Sequence, residues 1–330
     1  MSYKNSFLDV MVTSFKIPDV SKQIYENEIH KSLEEKWHDI GYEWMSHQLD
    51  YMNDVYKAFN DHSKFLIIIY LINKTLSFYA RSYVMLSYDE YYQQTSIEIE
   101  KFNVIEISEQ LNLPKETARR KIKELEDDSI IKRDKKKLII DKTAFPFVQP
   151  IKSIPRISRF INKFSKTLVQ KKQINKIISS EEIEKKIKSN FTYIWKNYYE
   201  LQIDMIKGWN FHFGDIATWH IFGTCAVAQG YPVSKTDFDD KSRETFNVLL
   251  TKGKYFMGIN AMSMSELTGI PRATVVRKLN SLVKSDHLII NKKKQYFVSE
   301  KKIEKLTNIQ SKTIKNLSTF ITKTLNIVII

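Results

Sequence analysis

The segment Ile107-Ser-Glu-Gln-Leu-Asn-Leu-Pro-Lys-Glu-Thr-Ala-Arg-Arg-Lys-Ile-Lys-Glu-Leu125 recurs 157 residues later as Met264-Ser-Glu-Leu-Thr-Gly-Ile-Pro-Arg-Ala-Thr-Val-Val-Arg-Lys-Leu-Asn-Ser-Leu282. Within it Ser108/Ser265, Glu109/Glu266, Pro114/Pro271, Thr117/Thr274, Arg120/Arg277, Lys121/Lys278 and Leu125/Leu282 coincide. The register runs on without a gap to Lys135-Lys136-Lys137 opposite Lys292-Lys293-Lys294, giving 10 identities in 30 positions. Apolar positions match as well: Leu113/Ile270, Ala118/Val275 and Ile122/Leu279. Self-similarity at a fixed offset marks an internal repeat. A weaker echo at offset 154 aligns Gln48/Gln202, Asp50/Asp204, Phe59/Phe213 and Asp61/Asp215. Two copies of one unit are therefore expected at about 36–141 and 191–298, each a helical part followed by a small module.

In each module a short helix (Ile107–Leu111, Met264–Thr268) leads into a turn and a longer helix. Asn112 and Gly269 share the turn position, and both tolerate the left-handed backbone that a sharp helix-to-helix turn needs. Pro114 and Pro271 follow two residues later, where a fixed φ and a missing N–H suit the start of a helix. Ala118, Ile122 and Leu125, like Val275, Leu279 and Leu282, recur at i, i+4, i+7 and predict a buried stripe. Lys115, Arg119, Arg120 and Lys123 occupy the opposite face in the first copy, and Arg272, Val276, Arg277 and Asn280 in the second. Beyond the helix, Ile130–Arg133 and Lys137–Ile140, and again Leu288–Ile290 and Lys294–Val298, read as strands of tight hairpins.

This layout resembles the winged helix-turn-helix transcriptional regulators of the broad MarR and IclR type, over about 40 residues in each copy. The resemblance implies a double-stranded DNA partner, a second helix set in the major groove, and a hairpin wing on the backbone. It implies no cofactor, no metal and no catalytic residue. Arg119, Arg120, Arg272 and Arg277 are the expected base or phosphate readers, because a guanidinium pairs bidentately with guanine. Lys115, Lys123 and Asn280 share their face, and Thr117 and Thr274 either bond a phosphate or base or cap their own helix. Lys135, Lys136, Lys137, Lys292, Lys293 and Lys294 are expected at wing tips, touching phosphate or the minor groove. Val276 stands where the first copy has Arg119, and Ala273 where it has Glu116, so the two modules are expected to read unequal half-sites.

The charge map agrees with a polyanionic partner. The 330 residues carry a net +14. Residues 1–100 hold −6, 101–141 +2, 142–190 +9, 191–257 zero, 258–297 +5 and 298–330 +4. AT-rich coding also enriches lysine, isoleucine and asparagine, so the distribution says more than the total. Five of the nine arginines lie within residues 108–137 and 265–294, where an even spread would put fewer than two.

The remainder reads as a helical body. Gly (8) and Pro (7) are scarce, which argues against a loop-rich or all-β chain. The longest apolar run, Phe65–Ile72, is too short to span a bilayer, and the opening residues lack a secretory pattern, so a cytoplasmic protein is expected. Cys225, the single cysteine, has no disulfide partner. After Pro146, Pro150 and Pro155, which punctuate a loop, apolar residues recur at helical spacing from Ile157 to Ile178, and again from Ile303 to Leu325. Both stretches predict amphipathic helices docked on a partner or on the other half. A homodimer through these helices stays open beside a one-chain pseudo-dimer, and the sequence names no small-molecule effector. His212, Asp215 and His220 match no familiar metal spacing, and they, like His62, are expected in capping or surface roles. Phosphate-loop, dinucleotide, nucleophile-elbow and zinc-protease motifs are absent. Aromatic clusters (Tyr42, Trp44, Tyr51, Tyr56; Trp195, Tyr198, Tyr199, Trp209, Trp219) have spacing that favours core packing over a ligand pocket.

The expected fold is mainly α: two tandem winged helix-turn-helix modules, each preceded by helical segments, with short β-hairpin wings. The expected divisions are an arm at 1–35, a first unit at 36–141, a basic linker with an amphipathic helix at 142–190, a second unit at 191–298 and a C-terminal amphipathic helix at 299–330. The leading function is sequence-specific DNA-binding transcription regulation. Plasmid or phage replication initiators, which also join two winged-helix domains in a chain of similar size, are the alternative, and no clear copy of their signature motifs is present.

Overall fold

The computed structural model describes residues 20–99, 103–134, 137–143, 150–251 and 257–329. Over the described residues the chain is mainly α, 72% helix in 14 helices, with one three-stranded and one two-stranded antiparallel sheet. The first half runs α1 (Glu26–Glu35), α2 (Trp37–Phe59), α3 (His62–Arg81), α4 (Tyr88–Gln93), β1 (Ser96–Ile99), α5 (Val104–Leu111), α6 (Lys115–Asp127), β2 (Ile131–Asp134), β3 (Lys137–Asp141) and α7 (Ser153–Gln170). The second half follows the same order: α8 (Ser180–Ser189), α9 (Phe191–Phe213), α10 (Ile216–Ser234), α11 (Arg243–Thr251), α12 (Ala261–Thr268), α13 (Arg272–Lys284), β4 (Leu288–Ile290), β5 (Tyr296–Val298) and α14 (Ile303–Val328). Corresponding helices agree in length: 10 residues in α1 and α8, 23 in α2 and α9, 8 in α5 and α12, 13 in α6 and α13. The strand β1 is reduced in the second half to a single bridge, Ile259 to Tyr296.

Each long helix is set by a local stop and start. Asn60 (φ 49°) and Gly214 (φ 80°) end α2 and α9 in the left-handed region. The next residue then caps the following helix: Asp61 accepts from the backbone N–H of Ser63 and Lys64, and Asp215 from that of Thr218. The amphipathic stretch after Ile157 ends sooner than its apolar spacing implies. Lys172 turns left-handed (φ 59°) and the Gln173 N–H bonds back to the Leu168 carbonyl, so α7 stops at Gln170 and Ile174 to Ile178 form a connection. Pro155 is no loop marker; it sits in the first turn of α7, where its missing N–H leaves no bond unmade. Pro146 lies outside the described residues.

The two halves pack reciprocally. α2 lies on α10 while α9 lies on α3, and α7 lies on α8 while α14 lies on α1. Exchanging the halves turns each of these contacts into its counterpart, which is the property of a twofold dimer interface, realised here within one chain. The run Phe65–Ile69 on α3 is at most 1% exposed because α9, α2 and α6 enclose it. On α7 the side chains Ile154, Ile157, Phe160, Ile161, Phe164 and Leu168 are equally buried, as are Ile314, Leu317, Phe320, Ile321 and Leu325 on α14. The apolar faces of both amphipathic helices are thus covered inside the chain. Ile24 N–H donates to Asn326 Oδ1 at 2.8 Å and Asn326 Nδ2 to the Ile24 carbonyl at 3.0 Å, tying the start of the described chain to its last helix. No helix among the described residues is long and apolar enough to cross a membrane.

Because one core serves both halves, Phe164→Ala and Phe320→Ala should each lower stability by about 3–5 kcal/mol, the cost of emptying a packed aromatic site. Urea unfolding followed by circular dichroism should show one cooperative transition for the wild type and both variants.

Candidate nucleic-acid interface

The two helix–turn–helix–hairpin units are built by the same local chemistry. Asn103 and Asn260 cap α5 and α12, and the turns pass through left-handed Asn112 (φ 52°) and Gly269 (φ 74°). Pro114 and Pro271 open α6 and α13 with nearly identical backbone angles. The identity of Ser108 and Ser265 has a reason: each hydroxyl donates to the carbonyl across the turn, Ser108 to Leu113 and Ser265 to Ile270, both at 2.7 Å. Ala118, Ile122, Leu125, Val275, Leu279 and Leu282 are at most 1% exposed, so the apolar stripes face inward as their spacing required.

The opposite faces are open. Lys115, Arg119, Arg120 and Lys123 on α6 are exposed, as are Arg272, Arg277 and Asn280 on α13, while Thr117 and Thr274 are half-buried. Neither α6 nor α13 has a side-chain cap at its first residue. Arg119 reaches Glu116 at 3.5 Å and Arg120 reaches Glu124 at 3.8 Å. At such exposure these pairs contribute about 0–1 kcal/mol and leave the guanidinium groups free to turn to another partner. Arg133 behaves differently: its Nε and Nη2 both lie 2.9 Å from Glu126 Oε1, so it fastens the first hairpin to α6.

The hairpins differ by one residue. Asp134 pairs with Lys137 in the first, whereas in the second Asn291 bonds Gln295, with Lys292, Lys293 and Lys294 between them. Asn291 Oδ1 accepts from Lys293 and Gln295 N–H, and Lys294 adopts φ 56°, the geometry of a three-residue loop. All three lysines of the second copy are exposed at the tip. In the first copy Lys137 is the first residue of β3, as the expected strand Lys137–Ile140 has it, and pairs with Glu98 of β1 at 3.0 Å, whereas Lys294, expected to open a strand, lies in the turn and β5 begins only at Tyr296. Lys135 and Lys136 lie outside the described residues.

Lys121 and Lys278, identical in the repeat, do not join the open face. Lys121 Nζ lies 2.8 Å from Asp61 Oδ2, and Lys278 pairs with Asp215 in the same way. The aspartate that caps α3 or α10 therefore also holds α6 or α13 to the body. Burial alone would raise these carboxyl pKa values, but hydrogen bonds from the lysine and the helix N-terminus outweigh it, so both lie below the usual 3.8. This role was readable in principle, since Asp61/Asp215 and Lys121/Lys278 are each identical in the two copies. The strand β1, with Glu98, left no such trace.

Four of the histidines meet in two separate pairs. His212 Nε2 faces His287 Nε2 at 2.9 Å, and Asp215 is occupied as a cap. His62 and His220 are not on the surface: His62 Nε2 lies 3.0 Å from His220 Nδ1, both rings buried in the interface between halves, and His220 Nε2 lies 2.9 Å from Oδ1 of the half-buried Asn53. Burial pushes His62 down to about 4, so it stays neutral near pH 7. Burial also pushes the Cys225 thiol well up, which removes its nucleophilic character. Among the described residues no group of three or more His, Cys, Asp or Glu side chains could hold a metal ion.

Comparison with protein-family models, with curated proteins and with solved structures finds no match to this chain.

The depressed aspartate pKa values set an acid response. Their stabilisation is complete above the unfolded carboxylate value of 3.8 and is lost as pH falls through the lower folded values. The double variant Asp61→Asn/Asp215→Asn should be less stable than wild type at pH 7 and should lose less on moving to pH 3. Urea midpoints at the two pH values measure both effects.

Proposed function

We propose that this chain is a sequence-specific transcriptional regulator that binds double-stranded DNA through two winged helix-turn-helix units carried in one polypeptide. The observation that carries the reading is the pair of α6 and α13: two second helices of helix–turn–helix units, each with a buried apolar stripe, a basic outward face and the same anchoring aspartate–lysine pair. A helix of this kind fits the major groove and presents its first turns to base edges. The reciprocal packing of the halves supports it as well, since regulators of this layout place two units on one site by twofold symmetry, and here the symmetry is internal.

The units do not read alike. Arg119 and Arg120 stand side by side on the first unit, while the second presents Arg272 and Arg277 with Ala273 and Val276 between them, short apolar groups suited to a thymine methyl. Glu106, Glu109, Glu116 and Glu126 dilute the basic character of the first unit, whereas the second has only Glu266 and Asp286 over residues 258–297. Lys292, Lys293 and Lys294, held in a structured turn, serve as the phosphate clamp of the second unit.

Selection of DNA sites from a random pool with the full chain, followed by competition binding, tests the proposal. The expected product is one motif with two unequal halves. Arg120→Ala and Arg277→Ala should each weaken binding to that motif by about 1–3 kcal/mol and relax preference in one half only. Replacing Lys292–Lys294 with alanine should weaken binding to every sequence and lower the salt slope by about 1 for each phosphate no longer neutralised. Binding with no motif, or arginine variants that bind the selected site as wild type does, would overturn the reading.

A further inference from the structure

The reciprocal packing makes each half a comparison for the other, and one ionic clamp is complete in only one of them. In the first half Arg156 of α7 lies against α2, with Nη1 2.8 Å from Asp54 Oδ2 and Nε 3.7 Å from Asp50 Oδ2. At the offset of 154 the equivalent of Asp50 is Asp204 on α9, and the equivalent of Asp54 is Gly208. The residue of α14 that faces Asp204 is Asn316, whose Nδ2 stands 3.5 Å from Asp204 Oδ2, at the limit of a hydrogen bond. Two turns along, the correspondence repeats. Lys163 of α7 reaches Glu43 of α2 at 3.6 Å, and Lys323 of α14 donates to Asn197 of α9 at 2.9 Å. Arg156/Asn316 and Lys163/Lys323 share one offset of 160, so asparagine stands in the place of the arginine. The second half keeps one carboxylate of the clamp and lacks the guanidinium.

At that place the structure has a groove of about 280 Å³ between α3, α9 and α14, with Gln110 of α5 in its wall. Buried Asn73, Leu201 and Phe320 line it. The lining is more polar than its twin, since Asn73 and Gln110 correspond to Val227 and Leu267, and Glu200 to Ser46. Among the described residues its charged side chains balance, Glu200 and Asp204 against Lys207 and Lys323. Two of the four are engaged: Lys196 holds Glu200 at 2.8 Å, and Lys323 is bonded to Asn197. The other two, Asp204 and Lys207, lie one turn apart on α9, and neither makes an ion pair among the described residues. The groove therefore presents an open carboxylate and an open ammonium side by side.

We propose that this groove binds a small zwitterion, an amino acid with a guanidinium side chain, whose guanidinium takes against Asp204 the place that Arg156 takes against Asp50 and whose carboxylate meets Lys207. The cationic end is read from the occupant that the fold supplies in the other half, where a guanidinium fork sits on the equivalent aspartate. The anionic end follows from Lys207, because a balanced lining favours a ligand that carries both signs. The size follows from the volume. A cavity of about 150 Å³ accepts benzene, so nearly twice that space takes about a dozen non-hydrogen atoms, as many as arginine has. The groove and the repeat carry this assignment whether or not the chain binds DNA.

L-Arginine, agmatine and L-citrulline are the probes, titrated into the full chain at fixed ionic strength with calorimetry and melting temperature as readouts. Arginine should bind saturably and raise the melting temperature. Citrulline, which replaces the guanidinium with a neutral group of the same size, should bind at least tenfold more weakly, and so should agmatine, which lacks the carboxylate. Asn316→Arg restores the internal guanidinium; it should abolish binding of arginine while melting no lower than wild type. Asp204→Asn should weaken arginine at least tenfold, and Lys207→Gln should weaken arginine while leaving agmatine unchanged. No saturable binding of arginine to the wild type, citrulline bound as tightly as arginine, or undiminished binding in folded Asn316→Arg or Asp204→Asn protein would each overturn the proposal.

Discussion

The apolar run on α3 is covered by α9, and its counterpart α10 by α2, so each half supplies the surface that the other needs to bury. Everything else in the molecule hangs on this exchange. The first helix–turn–helix unit packs on α3 and the second on α10 and α2, and both are positioned by the aspartates that precede α3 and α10. The ends of the body are closed by α7 and α14, which reach across to the first helix of the opposite half. Hydrophobic burial is the large term here and the ion pairs are the small one. The pairs nevertheless decide orientation, because a cap and a lysine sharing one carboxylate leave the second helix little freedom to roll.

Much of the local structure was legible in the amino-acid sequence, because the repeat printed it twice. Asn112/Gly269 and Pro114/Pro271 located the turns, and the i, i+4, i+7 stripes identified the buried faces of α6 and α13. What escaped was non-local. The strand β1 is recognisable only through its pairing with β3, and the histidine pair His62–His220 only through the meeting of two helices distant in sequence. The apolar spacing that continued to Ile178 said nothing of the left-handed Lys172 that ends α7. Gap-free identity also misled at the hairpins: Lys137 and Lys294 align in sequence, yet one begins a strand and the other ends a turn, since a lysine run carries no register of its own.

The same repeat explains why the candidate sites are unequal. Two identical subunits must carry identical residues at equivalent places, so a symmetric dimer acquires every change twice. A fused pair escapes that constraint. Here the outward faces of α6 and α13 have diverged in charge, and one hairpin has gained a residue. Among the positions that have not diverged, Asp61/Asp215, Lys121/Lys278 and Ser108/Ser265 have their partners within the fold.

The packing of α1 against α14 has a further consequence during synthesis. A ribosome adding about 5–20 residues per second emits the first helix some 15–60 s before the last one exists. Throughout that interval the faces of α1, α2 and α3 destined for the second half have nothing to lie against. The nascent first half is thus an incomplete body with sticky surfaces, prone to pair with another nascent copy in place of its own second half. Such a chain should depend on chaperones while it is being made far more than its compact finished form suggests.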